Sequence, residues 1–78
     1  MTIQRSEVVS KFADGIGVKK AEETLDRAVE AVDIRDKKSW TEDEVAEMLN
    51  YIMNEDSEAD MLTTVSANTV KTQLRITE

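Results

Sequence analysis

Val18-Lys19-Lys20-Ala21-Glu22-Glu23-Thr24-Leu25-Asp26-Arg27-Ala28-Val29-Glu30-Ala31-Val32 is the stretch that decides the fold. Val18, Ala21, Leu25, Ala28, Val29 and Val32 recur at the helical period and fall in an apolar stripe about 100° wide. Lys19, Lys20, Glu23, Asp26, Arg27 and Glu30 fill the opposite face. Glu23 precedes Arg27 by one helical turn with the acid N-terminal to the base, the favourable orientation. This is an amphipathic helix with one face for a core, and its neighbours repeat the pattern.

Upstream, Asp14-Gly15-Ile16-Gly17 holds both glycines of the chain and signals a turn. Ser6 is a candidate N-cap for a short first helix ending near Phe12, with Val8, Val9 and Phe12 on one side. Downstream, Asp33 to Ser39 is a polar connector. Thr41 then caps a new helix, with Glu44 placed to reach back to it and Trp40 placed to pack on Val45. Val45, Met48, Leu49 and Ile52 form the apolar face of that helix, which ends near Met53. Asn54 to Asp60 is a loop or the start of the next element.

The C-terminal stretch allows two readings. In a single helix, Met61, Leu62 and Val65 do not share a face with Val70 and Leu74. A break at Ser66, which would cap a final helix from Ala67 to about Ile76, removes the conflict. Alternatively, residues 69–77 form a strand, because Val70, Thr72, Leu74 and Ile76 alternate with polar residues. Such a strand needs a partner, either Thr2-Ile3-Gln4 or another chain. The helix is preferred. The expectation is all-α: one small domain over residues 1–78, a compact bundle of four to five short helices.

A chain of 78 residues builds a core that supplies only about 3–5 kcal/mol by itself. It contains neither cysteine nor histidine, so disulfides and thiolate or imidazole metal sites are ruled out. Self-association as a homodimer, or a bound partner, is an expected source of extra support. Residues 1–5 lack the apolar stretch of a signal peptide, and no apolar run approaches the roughly 20 residues that span a bilayer. A cytoplasmic protein without membrane attachment is expected.

The net charge of −7 comes from one block. Thr41 to Asp60 contains Glu42, Asp43, Glu44, Glu47, Glu55, Asp56, Glu58 and Asp60 and no base. The residues before it carry eight acids and eight bases, and those after it sum to +1. Helix initiation and a solvated face account for the acids from Glu42 to Glu47. Those from Glu55 to Asp60 have no such cause. The alternation Asn54, Asp56, Glu58, Asp60 is not a calcium loop: Ala59 stands where glycine makes the turn, and Val65 where a bidentate glutamate belongs. No nucleophile, acid–base pair, phosphate loop or cofactor fingerprint is present, so neither an enzyme nor a cofactor is expected.

Gly15-Ile16-Gly17-Val18-Lys19-Lys20-Ala21, continued through Leu25, resembles the helix-hairpin-helix motif. The resemblance implies a tight turn whose amides, with Lys19 and Lys20, face a phosphate. Ser66-Ala67-Asn68-Thr69-Val70-Lys71-Thr72-Gln73-Leu74 resembles the recognition helix of LuxR-type helix-turn-helix regulators. That implies DNA contacts from Thr69, Lys71, Thr72 and Gln73, with Arg75 close by.

Two functions of different class follow. One is a non-enzymatic regulatory module that presents an acidic helical surface to a protein partner with a basic surface. Its contact residues would be Trp40, Glu44, Glu47, Met48, Tyr51, Glu55, Asp56, Glu58 and Asp60, since aromatic residues and methionine suit interface cores. The other is a DNA-associated protein gripping the backbone through Gly15, Ile16, Gly17, Lys19 and Lys20, with the C-terminal element assisting. Nucleic acid is opposed by the net charge, because a phosphate backbone repels a dense acidic block. The interaction module is therefore placed first.

Overall fold

A computed structural model describes residues 2–34 and 38–75. Among these residues the chain forms a strand β1 (Thr2–Gln4), helices α1 (Arg5–Ile16) and α2 (Val18–Ala31), a second strand β2 (Ser39–Thr41), and helices α3 (Glu42–Asn54) and α4 (Met61–Gln73). The architecture is a bundle of short helices with one small antiparallel ribbon. Helix α1 packs on α2 and α4, and α3 packs on the same two, so the four helices close a ring around a single core. Val8, Phe12, Leu25, Met48, Leu49, Ile52 and Val70 fill its centre.

The expected α2 and α3 are present. Helix α2 buries Ala21, Leu25, Ala28 and Val29 of the expected stripe, with Thr24 among them, but Val32 is only half-buried and Val18, in the first turn, is 59 % exposed. The capping box at Thr41 forms in full: its Oγ accepts from the Glu44 amide at 3.1 Å, and its own amide donates to Glu44 Oε1 at 2.9 Å. Trp40 and Val45 are both buried, consistent with the staple.

Thr2-Ile3-Gln4 is a strand, but its partner is β2, in the register Thr2 to Thr41, Ile3 to Trp40 and Gln4 to Ser39. Ile3 and Trp40 turn inward from this ribbon into the core. The ribbon also corrects the start of α1. Ser6 does not cap; the helix begins at Arg5, whose amide donates to the Lys38 carbonyl at 2.7 Å. The strand pairing thus takes up an amide that a capping side chain would otherwise serve.

Helix α1 also runs further than expected, through Asp14 and Gly15 to Ile16. The two glycines have separate causes. Gly17 alone leaves the helical conformation, with φ of 87°, where a side chain is strained. Gly15 is helical and faces α4. A Cβ on Gly15 would lie 3.2 Å from the Cβ of Ser66 and would overlap the Ser66 hydroxyl. Glycine at this position is what lets α1 and α4 approach.

Helix α4 is continuous from Met61 to Gln73, so Ser66 is neither a break nor a cap, and residues 69–73 are helix rather than strand. Ile76, the expected end of this element, lies outside the described residues. The helix is capped by Asp60, whose Oδ1 accepts from the Thr63 amide at 2.8 Å. The conflict between the two apolar sets is resolved by turning one of them outward. Thr63, Ser66, Ala67 and Val70 face the core, while Met61, Leu62 and Val65 face solvent. Small residues on the inner face suit the close approach to Gly15.

Gly15→Ala tests this crossing. Alanine gains about 1 kcal/mol of helix propensity, whereas overpacking costs about 1–3 kcal/mol. The variant is expected to unfold several degrees lower than the parent, and Gly15→Ala/Ser66→Ala, which removes the hydroxyl overlap but keeps the tight Cβ contact, to recover part of the loss, as read by thermal melts.

Candidate functional site

The fold divides the acidic block into acids that it uses and acids that it leaves outside. Asp56 is used most heavily. Its carboxylate is 2 % exposed and accepts from Arg27 Nη2 at 3.1 Å and Nε at 3.3 Å. The other oxygen accepts from the Glu58 amide at 3.0 Å. A buried carboxylate is tolerated only when paired and hydrogen-bonded in this way. Asp60 pairs with Lys20 at 2.6 Å while capping α4. Lys20 and Arg27 lie two turns apart on one side of α2. Together they hold both ends of the α3–α4 loop against that helix.

Glu44 is occupied by the capping box. Asp43, Glu47, Glu55 and Glu58 are exposed. Trp40 and Met48 belong to the core, and Asp56 to the clamp, so these three are not surface residues as the sequence reading had them. Their burial is what a small core demands.

Three of the expected contact residues are brought together. Glu47 and Tyr51 are spaced by four along α3 and Glu55, at its C-cap, follows four residues on, which puts the three close to one line. With Ala31 and Val32 from the end of α2, and with Asn50, they line an open groove of about 310 Å³. The half-buried tyrosine shares the groove with two exposed carboxylates, the exposed Ala31 and the half-buried Val32. Asn50 Oδ1 accepts from Lys71 Nζ at 3.4 Å, which joins the groove to α4. A larger hollow of about 880 Å³ opens beside α1 and the ribbon, lined by Arg5, Lys38, Asp14 and Glu22 among others. Its charges are mixed and it contains none of the expected site residues.

The residues considered for nucleic acid are distributed differently. Lys19 is exposed, and Lys20 is engaged with Asp60. The Gly17 amide donates to the Ala13 carbonyl at 2.9 Å, closing α1. Ile16 packs against the core. On α4, Thr69 and Thr72 are exposed and donate to the Val65 and Asn68 carbonyls, while Gln73 and Arg75 are exposed at its end. The two motif-like stretches meet where Gly15 packs on Ser66.

Sequence reading missed the outward apolar face of α4. Its signal is the mismatch between Met61, Leu62, Val65 and Val70, Leu74, which a helix break at Ser66 also explains. A comparison with known proteins finds no family model, no curated protein and no solved structure that matches this chain.

Two substitutions separate the clamp from the open acids. Asp56→Ala leaves Arg27 without its buried partner and is expected to cost about 3 kcal/mol in urea unfolding; Glu58→Ala should stay within about 0.5 kcal/mol of the parent. Asp60 is held well below the ordinary carboxylate range, first by the hydrogen bond from Lys20 and then by Thr63. A carboxylate lowered on folding stabilises fully above its unfolded value of about 3.9 and loses that contribution as pH falls below it. Asp60→Asn keeps a good cap and removes the charge. Its stability deficit is therefore expected to be full at pH 6 and to shrink as the pH is lowered from about 4 towards 2, as read by denaturant titration at each pH.

Proposed function

We propose that the protein is a small, non-enzymatic regulatory module that offers the Glu47–Tyr51–Glu55 line of α3 to a basic segment of a protein partner. The observation that carries this reading is the division of the acids. Those between Glu55 and Asp60 that the fold needs are turned inward to α2, and two that it does not need flank a tyrosine in a groove. A lysine or arginine laid across Tyr51 gains a cation–π contact and a carboxylate on either side.

The magnitudes set the kind of complex. Each exposed ion pair contributes about 0–1 kcal/mol and the cation–π contact about 0.5–1 kcal/mol. A single basic side chain in this groove does not hold a partner, so a segment with several bases is required. The net charge of −7 raises the association rate more than the affinity, and salt weakens both. The complex fits a reversible, regulatory contact in the cytoplasm.

Titrating a lysine- and arginine-rich peptide into isotope-labelled protein tests the reading. The amide shifts should centre on Glu47, Tyr51, Glu55 and Val32, and Glu47→Gln/Glu55→Gln should weaken binding about tenfold. Raising the salt from about 0.05 to 0.5 M should have a similar effect. Shifts that leave α3 untouched would sink the proposal. So would duplex DNA binding at low salt that Lys19→Glu abolishes, an outcome that would favour the helix-hairpin-helix resemblance instead.

A further inference from the structure

Among the described residues, the outer face of α4 gathers three of the four large apolar side chains that are exposed, the fourth being Val18 on α2. Met61 is 82 % exposed, Leu62 55 % and Val65 54 %. Leu62, Val65, Thr69 and Thr72 follow one another at spacings of three, four and three, the seam of a two-helix contact. All four are exposed. Large apolar side chains gathered on one exposed face mark an interaction site more often than a neutral surface.

Charge decides what covers this face. The outer surfaces of α1, α2 and α3 carry exposed acids, among them Glu7, Asp14, Glu23, Glu30 and Asp43. Helix α4 carries none. A second copy of a chain with net charge −7 is repelled from the other three helices and least repelled here. The ends of α4 also differ in sign. Glu58 and Asp60 precede its first turn, Lys71 lies in its last turn and Arg75 follows its end. A two-fold axis that runs the helices antiparallel lays the acidic end of each on the basic end of the other and opposes their dipoles. A parallel pair would set base against base.

We propose that α4 pairs antiparallel with α4 of a second copy of the chain, forming a two-fold dimer through Met61, Leu62 and Val65. With the axis at the level of Ala67, Leu62 lies across from Thr72 and Val65 across from Thr69. Glu58 of each copy then lies beside Arg75 of the other. The contact is independent of the Tyr51 groove, which stays open in the pair. A helix of 13 residues is about 20 Å long and covers less than the roughly 800 Å² per partner of a tight interface. The dimer is accordingly weak and forms in the range of tens to hundreds of micromolar.

Sedimentation equilibrium from about 10 µM to 1 mM tests the pairing. The mass-average should rise with concentration from 8.8 kDa towards twice that value. Val65→Glu and, separately, Leu62→Lys should hold the chain at monomer mass with unchanged helical circular dichroism. Arg75→Glu should weaken the dimer severalfold, and Glu58→Arg/Arg75→Glu should restore it. A monomer throughout the range overturns the proposal, as does a dimer that survives both face substitutions. A charge swap that fails to restore pairing overturns the antiparallel arrangement. Loss of the dimer with peptide binding retained, or the reverse, separates this inference from the groove.

Discussion

Asp56 sits inside a small protein with its carboxylate closed off from water, and Arg27 is what makes that position tenable. Much else follows from this one pairing. It ties the chain leaving α3 to the side of α2. It thereby places Asp60 next to Lys20, and Asp60 is where α4 begins. The starting point of a helix sets which of its faces meets the core. Starting at Asp60 puts Thr63, Ser66, Ala67 and Val70 inside and leaves Met61, Leu62 and Val65 outside. An ion pair in a loop thus determines which surface the last helix shows to solvent.

The acidic block is consequently two populations with different work. Glu44, Asp56 and Asp60 are structural, each satisfying backbone amides and two of them also a base. Glu47 and Glu55 are spared that work, and the helix brings them to either side of Tyr51. Charge counts along a sequence cannot separate these populations, because the separation depends on which bases α2 holds out to the loop.

What could be read in advance was local. The stripe of α2 and the Thr41–Glu44 box are interactions between residues a few positions apart; the box is found as expected, and so is the stripe from Ala21 to Val29, with Val18 left at the surface. So are the all-helical class and the loop before Asp60. The ends of α1 and the unity of α4 were not legible because distant residues decide them. Lys38 supplies the acceptor for the Arg5 amide, and Ser66 supplies the surface that needs Gly15 bare. Gly15 reads as part of a turn beside Gly17, although it serves as a flat place on a helix. For the candidate groove, Glu47, Tyr51 and Glu55 were visible as a set. The part of the lining made by Ala31 and Val32 was not, because it comes from the end of another helix.

The ribbon of β1 and β2 joins residues 2–4 to residues 39–41 across the whole α1–α2 pair. A three-residue ladder recovers little for closing so long a loop, and two isolated strands are at best marginal. The closure holds because Ile3 and Trp40 reach a core that the helices have already begun to build. Trp40 is the only tryptophan of the chain and stands at this junction. Its fluorescence therefore clocks the closure of this ribbon, while far-ultraviolet ellipticity clocks the local helices. The two signals part in time to the extent that the ladder waits for the helices to form.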